Sequence, residues 1–159
     1  MADVRVRFMY GTAAQWTSAN PTLAVGEGGY ETDTGLKKFG DGSTAWTSLP
    51  YDGGVSPVFD LSAATTLTRL HQGATLRHPT ADNNARTFTI PANSSVPYPV
   101  GTVLTFINEI NTVTIAITSD TLVLAAAGTT GSRTLAADGM ATAIKVASTR
   151  WYISGSDLT

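Results

Sequence analysis

From Thr65 to Ser154 the sequence is a succession of short β-branched and aromatic segments bounded by turn residues, a pattern that predicts an all-β fold. The segments are Thr65–Leu70, Ala74–Arg77, Arg86–Ile90, Val103–Asn108, Val113–Thr118, Thr121–Leu124, Ala141–Ala147 and Trp151–Ser154. Between them lie Pro79, Asp82-Asn83-Asn84, Pro91-Ala92-Asn93, the stretch from Gly128 to Ser132, and Asp138-Gly139, all residue types that favour turns. Short strands at this spacing predict a β-sandwich or barrel-like domain, and no internal repeat accompanies them.

Such a domain must cover its surface with few charges, since only 14% of the 159 residues are charged against about 25% in an ordinary globular protein. Threonine, the most frequent residue, fits that need: its methyl packs while its hydroxyl faces water. The net charge of −2 and the lack of any Lys/Arg cluster denser than Arg5 with Arg7 or Lys37-Lys38 argue against nucleic acid or anionic membrane as a partner. The apolar run Leu122 to Ala127 is too short to span a bilayer. The N-terminus lacks a cationic start followed by an apolar run, so no signal peptide is expected. With no cysteine, disulfides and thiolate metal sites are excluded, and oligomerisation is the expected staple.

The first third reads differently. Val4, Val6, Phe8 and Tyr10 alternate with Arg5 and Arg7 as in a half-buried strand. Thr12 and Gln15 have the spacing of a capping box, which predicts one short helix running to about Ala19 and stopped by Asn20-Pro21. Gly28–Thr32 and Leu36–Gly40 predict two strands joined at Asp33-Thr34-Gly35, with Asp41-Gly42 as a tight turn. Asp52 to Pro57 is the best linker. The expected organisation is therefore a module over 1–51, a linker over 52–57 and a β-sandwich-like domain over 58–159. A module of about fifty residues is marginal alone, which again points to association.

Little in the chain suggests chemistry. His71 and His78 lack partners at catalytic or metal-binding spacing and are expected as loop or strand-end residues. Asp33 and Asp41, with Glu31 nearby, raise calcium, but each aspartate sits by a glycine and is better read as turn-forming. Gly26-Glu27-Gly28-Gly29 lacks the lysine and helix of a phosphate loop, and no Gly-x-Ser-x-Gly occurs. No catalytic residue, metal ligand or cofactor is expected. Trp16, Tyr30, Trp46, Trp151 and Tyr152 are the candidate interface residues, either core anchors or contacts to other subunits or partners. Trp151 and Tyr152 are neighbours on one strand, so one of them must face outward.

The run from Gly11 to Pro21, then Leu23, Gly26-Glu27, Gly29 to Gly35, Lys38, Gly40-Asp41-Gly42, Thr44, Trp46 and Leu49-Pro50-Tyr51 resembles the N-terminal domain of phage major tropism determinants. The same module occurs in many phage fibre and hyaluronate-lyase-like tail proteins. In that family two basic residues often precede Gly11, where Met9 and Tyr10 stand here. Thr89-Ile90-Pro91-Ala92-Asn93 and the closing strand with Trp151 resemble the small β domain that ends many phage fibres. The resemblance implies an intertwined homotrimer with its N-terminal module toward the virion, partnered by phage capsid or tail proteins. A lectin-like receptor domain is not expected from the residues after the module.

These expectations converge on a non-enzymatic structural protein of the virion surface of a tailed bacteriophage, made in the host cytoplasm: a trimeric capsid decoration protein or short head fibre. The absence of a long shaft favours that reading. The alternative is a tail-fibre receptor-binding protein whose C-terminal domain grips a host surface glycan.

Overall fold

The computed structural model describes residues 8–53 and 56–159. The chain divides into two units, Met1–Val55 and Ser56–Thr159, and the division falls inside the 52–57 stretch. Among the described residues no helix is long and apolar enough to cross a membrane.

In the first unit Val4, Arg5, Val6 and Arg7 lie outside the described residues, and the expected first strand is seen at its far end as β1, Met9–Gly11. Thr12 then caps α1, Ala13–Ala19, through the expected capping box: its hydroxyl accepts from Gln15 N and the Gln15 side chain takes the Thr12 N–H. Asn20 ends the helix in the left-handed region, a conformation asparagine tolerates. The helix returns the chain so that β2, Gly28–Glu31, lies parallel to β1, while β3, Lys37–Phe39, is antiparallel to β2. A 3₁₀ turn at Trp46–Ser48 carries the second core tryptophan. Trp16 and Trp46 stack at 4.1 Å and 16°, with Leu23 beside them. Gly29 has to be glycine, because a Cβ there would stand 2.4 Å from the Trp46 ring.

The second unit contains β4 (Val58–Asp60), β5 (Thr65–Thr66), β6 (Thr75–His78), β7 (Arg86–Ile90), β8 (Val103–Asn108), β9 (Val113–Ile117), β10 (Thr121–Leu124), β11 (Arg133–Ala147) and β12 (Arg150–Leu158). From β4 to β9 consecutive strands do not pair. Strands β4, β6 and β8 stack in parallel, and so do β5, β7 and β9. Each pass of the chain thus lays one strand on each of two arms. Parallel neighbours need a long crossover, and here the strand of the opposite arm supplies it. The stacked positions Val58, Thr75 and Thr105 are unevenly spaced in sequence, as are Thr65, Phe88 and Ile115, so the coil leaves no repeat to detect.

β11 joins the arms. Arg133 to Leu135 pair with β9, and Gly139 to Ile144 pair with β8, both antiparallel. Asp138-Gly139, expected as a turn between strands, is instead a bend inside this single strand, with Asp138 at φ 60°. β12 runs antiparallel along the far side of β11 and parallel to β10. Leu76, Leu104 and Phe106 from one arm and Phe88, Ile90 and Ile115 from the other share one core, which makes the unit sandwich-like. Each such side chain contributes about 1.5–3 kcal/mol on burial. Among the described residues the chain is all-β apart from α1 and two 3₁₀ turns, the second at Arg69–His71. That turn ends the expected Thr65–Leu70 strand early, and β4 was not expected from the sequence.

Candidate functional site

In the N-terminal unit the polar motif residues are engaged by the unit's own backbone and side chains. Asp33 Oδ1 accepts from Ala13 N at 2.9 Å, a second cap on α1 supplied from another loop. Glu31, 1% exposed, accepts from the Thr34 hydroxyl at 2.6 Å and the Tyr51 phenol at 3.0 Å. Asp41 gathers the N–H groups of Ser43 and Thr44 and both their hydroxyls, which holds its carboxyl below the usual range, the Thr44 hydroxyl contributing most. It closes a loop rather than a two-strand hairpin. Among the described residues no group of three or more His, Cys, Asp or Glu stands close enough to hold a metal.

Lys38 is buried on β3, its ammonium donating to Trp46 O at 2.9 Å and lying 4.2 Å from the Tyr51 ring centre. Burial lowers it from 10.5 to about 8, partly opposed by the Glu31 carboxylate. Between these values the unfolded chain binds more protons than the folded one, so this group makes stability rise with pH across that window. Tyr51 acts oppositely: burial, then Glu31, raises its phenol, so above its ordinary 10.0 the unfolded chain ionises first and stability falls. Together these two groups contribute most to the unit's stability near pH 10. Urea midpoints followed by tryptophan emission from about pH 7 to about pH 11 test this, and Lys38→Met should abolish the rise.

The opposite face of this sheet is open. Alternation along β1 and β2 sets Tyr10 beside Tyr30, with Lys37 next in the same row. Phe8 covers Gly28, where a Cβ would meet its ring at 2.2 Å, and packs edge-on against Phe39 at 5.6 Å. All four aromatic rings are exposed: Tyr10 by 77%, Phe8 by 44%, Tyr30 by 38% and Phe39 by 37%. On the other side of β1, Met9, Tyr10, Gln15, Trp16 and Ala19 line an open cavity of about 340 Å³.

In the C-terminal unit His78 stands at a strand end, as expected, and His71 in a turn, and both are engaged. His71 ends the 3₁₀ turn, accepts Thr68 N at 2.9 Å and packs against Phe59, and burial lowers its pKa. His78, fully buried on β6, has Nδ1 2.8 Å from Asn108 Oδ1 and Nε2 3.2 Å from Asp82 Oδ2. Asn108 donates its amide hydrogens to the carbonyls of Asn111 and Leu135, so its oxygen is the atom facing the ring. Asp82 is clasped by Arg86, whose hydrogen bonds lower its carboxyl most, and by Asn84. The regular spacing His78, Asp82, Arg86 is the signal of this cluster in the sequence. The cluster ties β6 to β7 and β8. The buried Lys145 plays a similar part, donating to Asn93 Oδ1 at 2.6 Å and Tyr98 O at 2.9 Å, which gives the Pro-x-Asn turn its asparagine.

The five aromatic candidates separate cleanly. Trp16, Trp46 and Trp151 are buried in the cores of their own units, the core-anchor alternative of the expectation. Tyr30 and Tyr152 are at the surface. On β12 Trp151 points in and Tyr152 out, where Tyr152 sits in a row with Ile144 and Val103. Met140 and Val146 extend this exposed strip along β11. The structure does not bring Trp151 and Tyr152 to one face.

Residues 6–44 match the family described as the major tropism determinant N-terminal domain. Over 48 residues, 30% of this chain, the sequence is 44% identical to a protein named hyaluronoglucosaminidase from a phage of Streptococcus pyogenes. The match covers 13% of that relative's length. The family match spans β1, α1, β2, β3 and the Asp41 loop, the parts whose motif residues cap, turn or fill the small core.

Proposed function

We propose that this chain is a non-enzymatic structural protein of the surface of a tailed bacteriophage virion, a homotrimeric capsid decoration protein or short head fibre held to other virion proteins through its N-terminal unit. The observation that carries the reading is the open aromatic face of the three-stranded sheet. Four exposed rings gather on one face of so small a sheet, and apolar patches of this kind mark contact surfaces. Burying them on neighbouring chains would also stabilise a unit with a two-tryptophan core. The family match and the phage relative support the virion setting. The relative's enzyme name describes a protein of which only 13% is shared, and the acidic residues within the shared motif are engaged here as caps and turns.

Light scattering or native mass spectrometry of the purified chain tests the association. The expected result is three times 16.6 kDa, falling to the monomer mass in Tyr10→Ser/Tyr30→Ser with little loss of fold. A well-folded wild-type monomer would overturn the reading. Gold-labelled antibody on intact virions then separates head from tail. Label confined to the tail tip would favour the second reading, a tail-fibre receptor-binding protein gripping a host glycan, for which exposed Tyr152 beside Arg150 is the specific support.

A further inference from the structure

The loop between β9 and β10 and the loop between β10 and β11 border an open polar cavity of about 300 Å³ in the C-terminal unit. Threonine and serine residues, Thr118, Thr121, Thr130 and Ser132, form half of its wall, with Asp120 and Leu122 also lining it. Ser132 Oγ accepts from Ile117 N at 3.2 Å, which leaves its own hydrogen to donate elsewhere.

Asp120 is the unusual member. Its side chain belongs to a residue only 8% exposed, yet its two oxygens share a single donor, the backbone N–H of Asn93, at 3.2 and 3.1 Å. Among the described residues nothing else donates to it. An ionised carboxylate has about four acceptor sites, and leaving them unmet in a buried place is costly. The neighbouring charge is settled differently. Lys145 lies near enough to feel Asp120, but its ammonium is committed to Asn93 Oδ1 and Tyr98 O. Asn93 therefore stands between the two charges, donating its backbone N–H to one and lending its side-chain oxygen to the other.

Asp120 therefore offers the cavity acceptor sites that Asn93 N alone does not fill, while the nearby positive charge is engaged elsewhere. A metal ion would find one carboxylate and no further acidic or imidazole ligand in the wall, and would be repelled by Lys145. We infer that this cavity is a binding site for a neutral polyhydroxylated ligand, a saccharide ring, with two of its hydroxyls donating to Asp120 and the threonine and serine hydroxyls completing the contacts. No aromatic ring lines the wall, so affinity rests mainly on hydrogen bonds and falls in about the millimolar range.

The test is amide chemical-shift mapping on the full-length protein titrated with glucose, galactose and N-acetylglucosamine, with methylammonium as a cationic comparison. Saturable shifts confined to 117–122 and 130–132 with at least one sugar are expected, and Asp120→Asn should weaken them at least tenfold. Thr121→Val, an exposed isosteric change, should weaken them severalfold and carries the test if Asp120→Asn does not fold. No saturable shift with any of the three sugars, shifts that persist unchanged in the variants, or tighter binding of methylammonium would each overturn the assignment. The result is independent of oligomeric mass, so it stands or falls apart from the association proposed above.

Discussion

Gly40→Ala is expected to unfold the N-terminal unit while leaving the C-terminal unit intact. A Cβ at Gly40 would lie 2.2 Å from Ala24 O and 2.5 Å from both Leu23 O and Leu23 Cβ. Two of these three atoms are backbone, so no rotamer change relieves the clash. The loop is also pinned where it must move: Gly40 donates to Glu27 O and accepts from Gly26 N, both at 2.9 Å. Overpacking of this kind costs about 3 kcal/mol or more. A unit of about fifty residues has only about 3–8 kcal/mol to lose. The measurement is near-ultraviolet circular dichroism, where the stacked Trp16–Trp46 pair should lose its signal. Gly53→Asn is the matched control, since nothing lies within 4 Å of its Cβ position and asparagine tolerates its positive φ. It should cost less than about 0.5 kcal/mol.

Trp151→Ala should destabilise the C-terminal unit by about 3–5 kcal/mol, whereas Tyr152→Ala should cost about 1 kcal/mol or less. The two residues are adjacent in sequence and opposite in environment. Trp151 is 0% exposed, meets Tyr98 edge-on at 5.8 Å, and lies beneath the Lys145 ammonium at 5.6 Å. Its removal opens a void under the strand that links β10 to β11 and loosens the turn that Lys145 holds through Asn93 and Tyr98. Tyr152 loses only half-exposed contacts with its row on the outer face. Denaturant midpoints at constant slope distinguish the pair. Equal losses would mean that Trp151 is not the core anchor its burial indicates.

The sequence carries the strands of the second unit well, because alternation and turn residues act locally. Arg86–Ile90, Val103–Asn108 and Thr121–Leu124 have the expected bounds. What it does not carry is which strand lies beside which. Phe88 and Ile115 are ordinary inward residues in sequence, and only the fold makes them stacked neighbours in a parallel arm. Asp138-Gly139 misleads for a related reason: the same residues serve a hairpin turn and a bend within one strand, and the pairing of β11 with both β8 and β9 decides between them. In the first unit the motif predicted turns and a cap correctly, since those bonds are made within a few residues. Its outward aromatic face depends on β1 and β2 being parallel, which no local spacing reveals. The Asp120 cavity is likewise assembled from two loops and a distant asparagine.

The way β11 crosses both arms also sets how a unit of this kind can change in length. Every parallel coil ends in a pair of open edges, and the antiparallel strand β11 closes both at one end, on β8 and β9 at once. At the other end the edges are β4 and β5, of three and two residues. A stopper of this form terminates growth on its own side without regard to how many coils precede it. Descent from a common ancestor could therefore lengthen or shorten the unit by whole coils at the β4–β5 end while the Trp151 core and the Asp120 cavity, built around the stopper, stay unchanged.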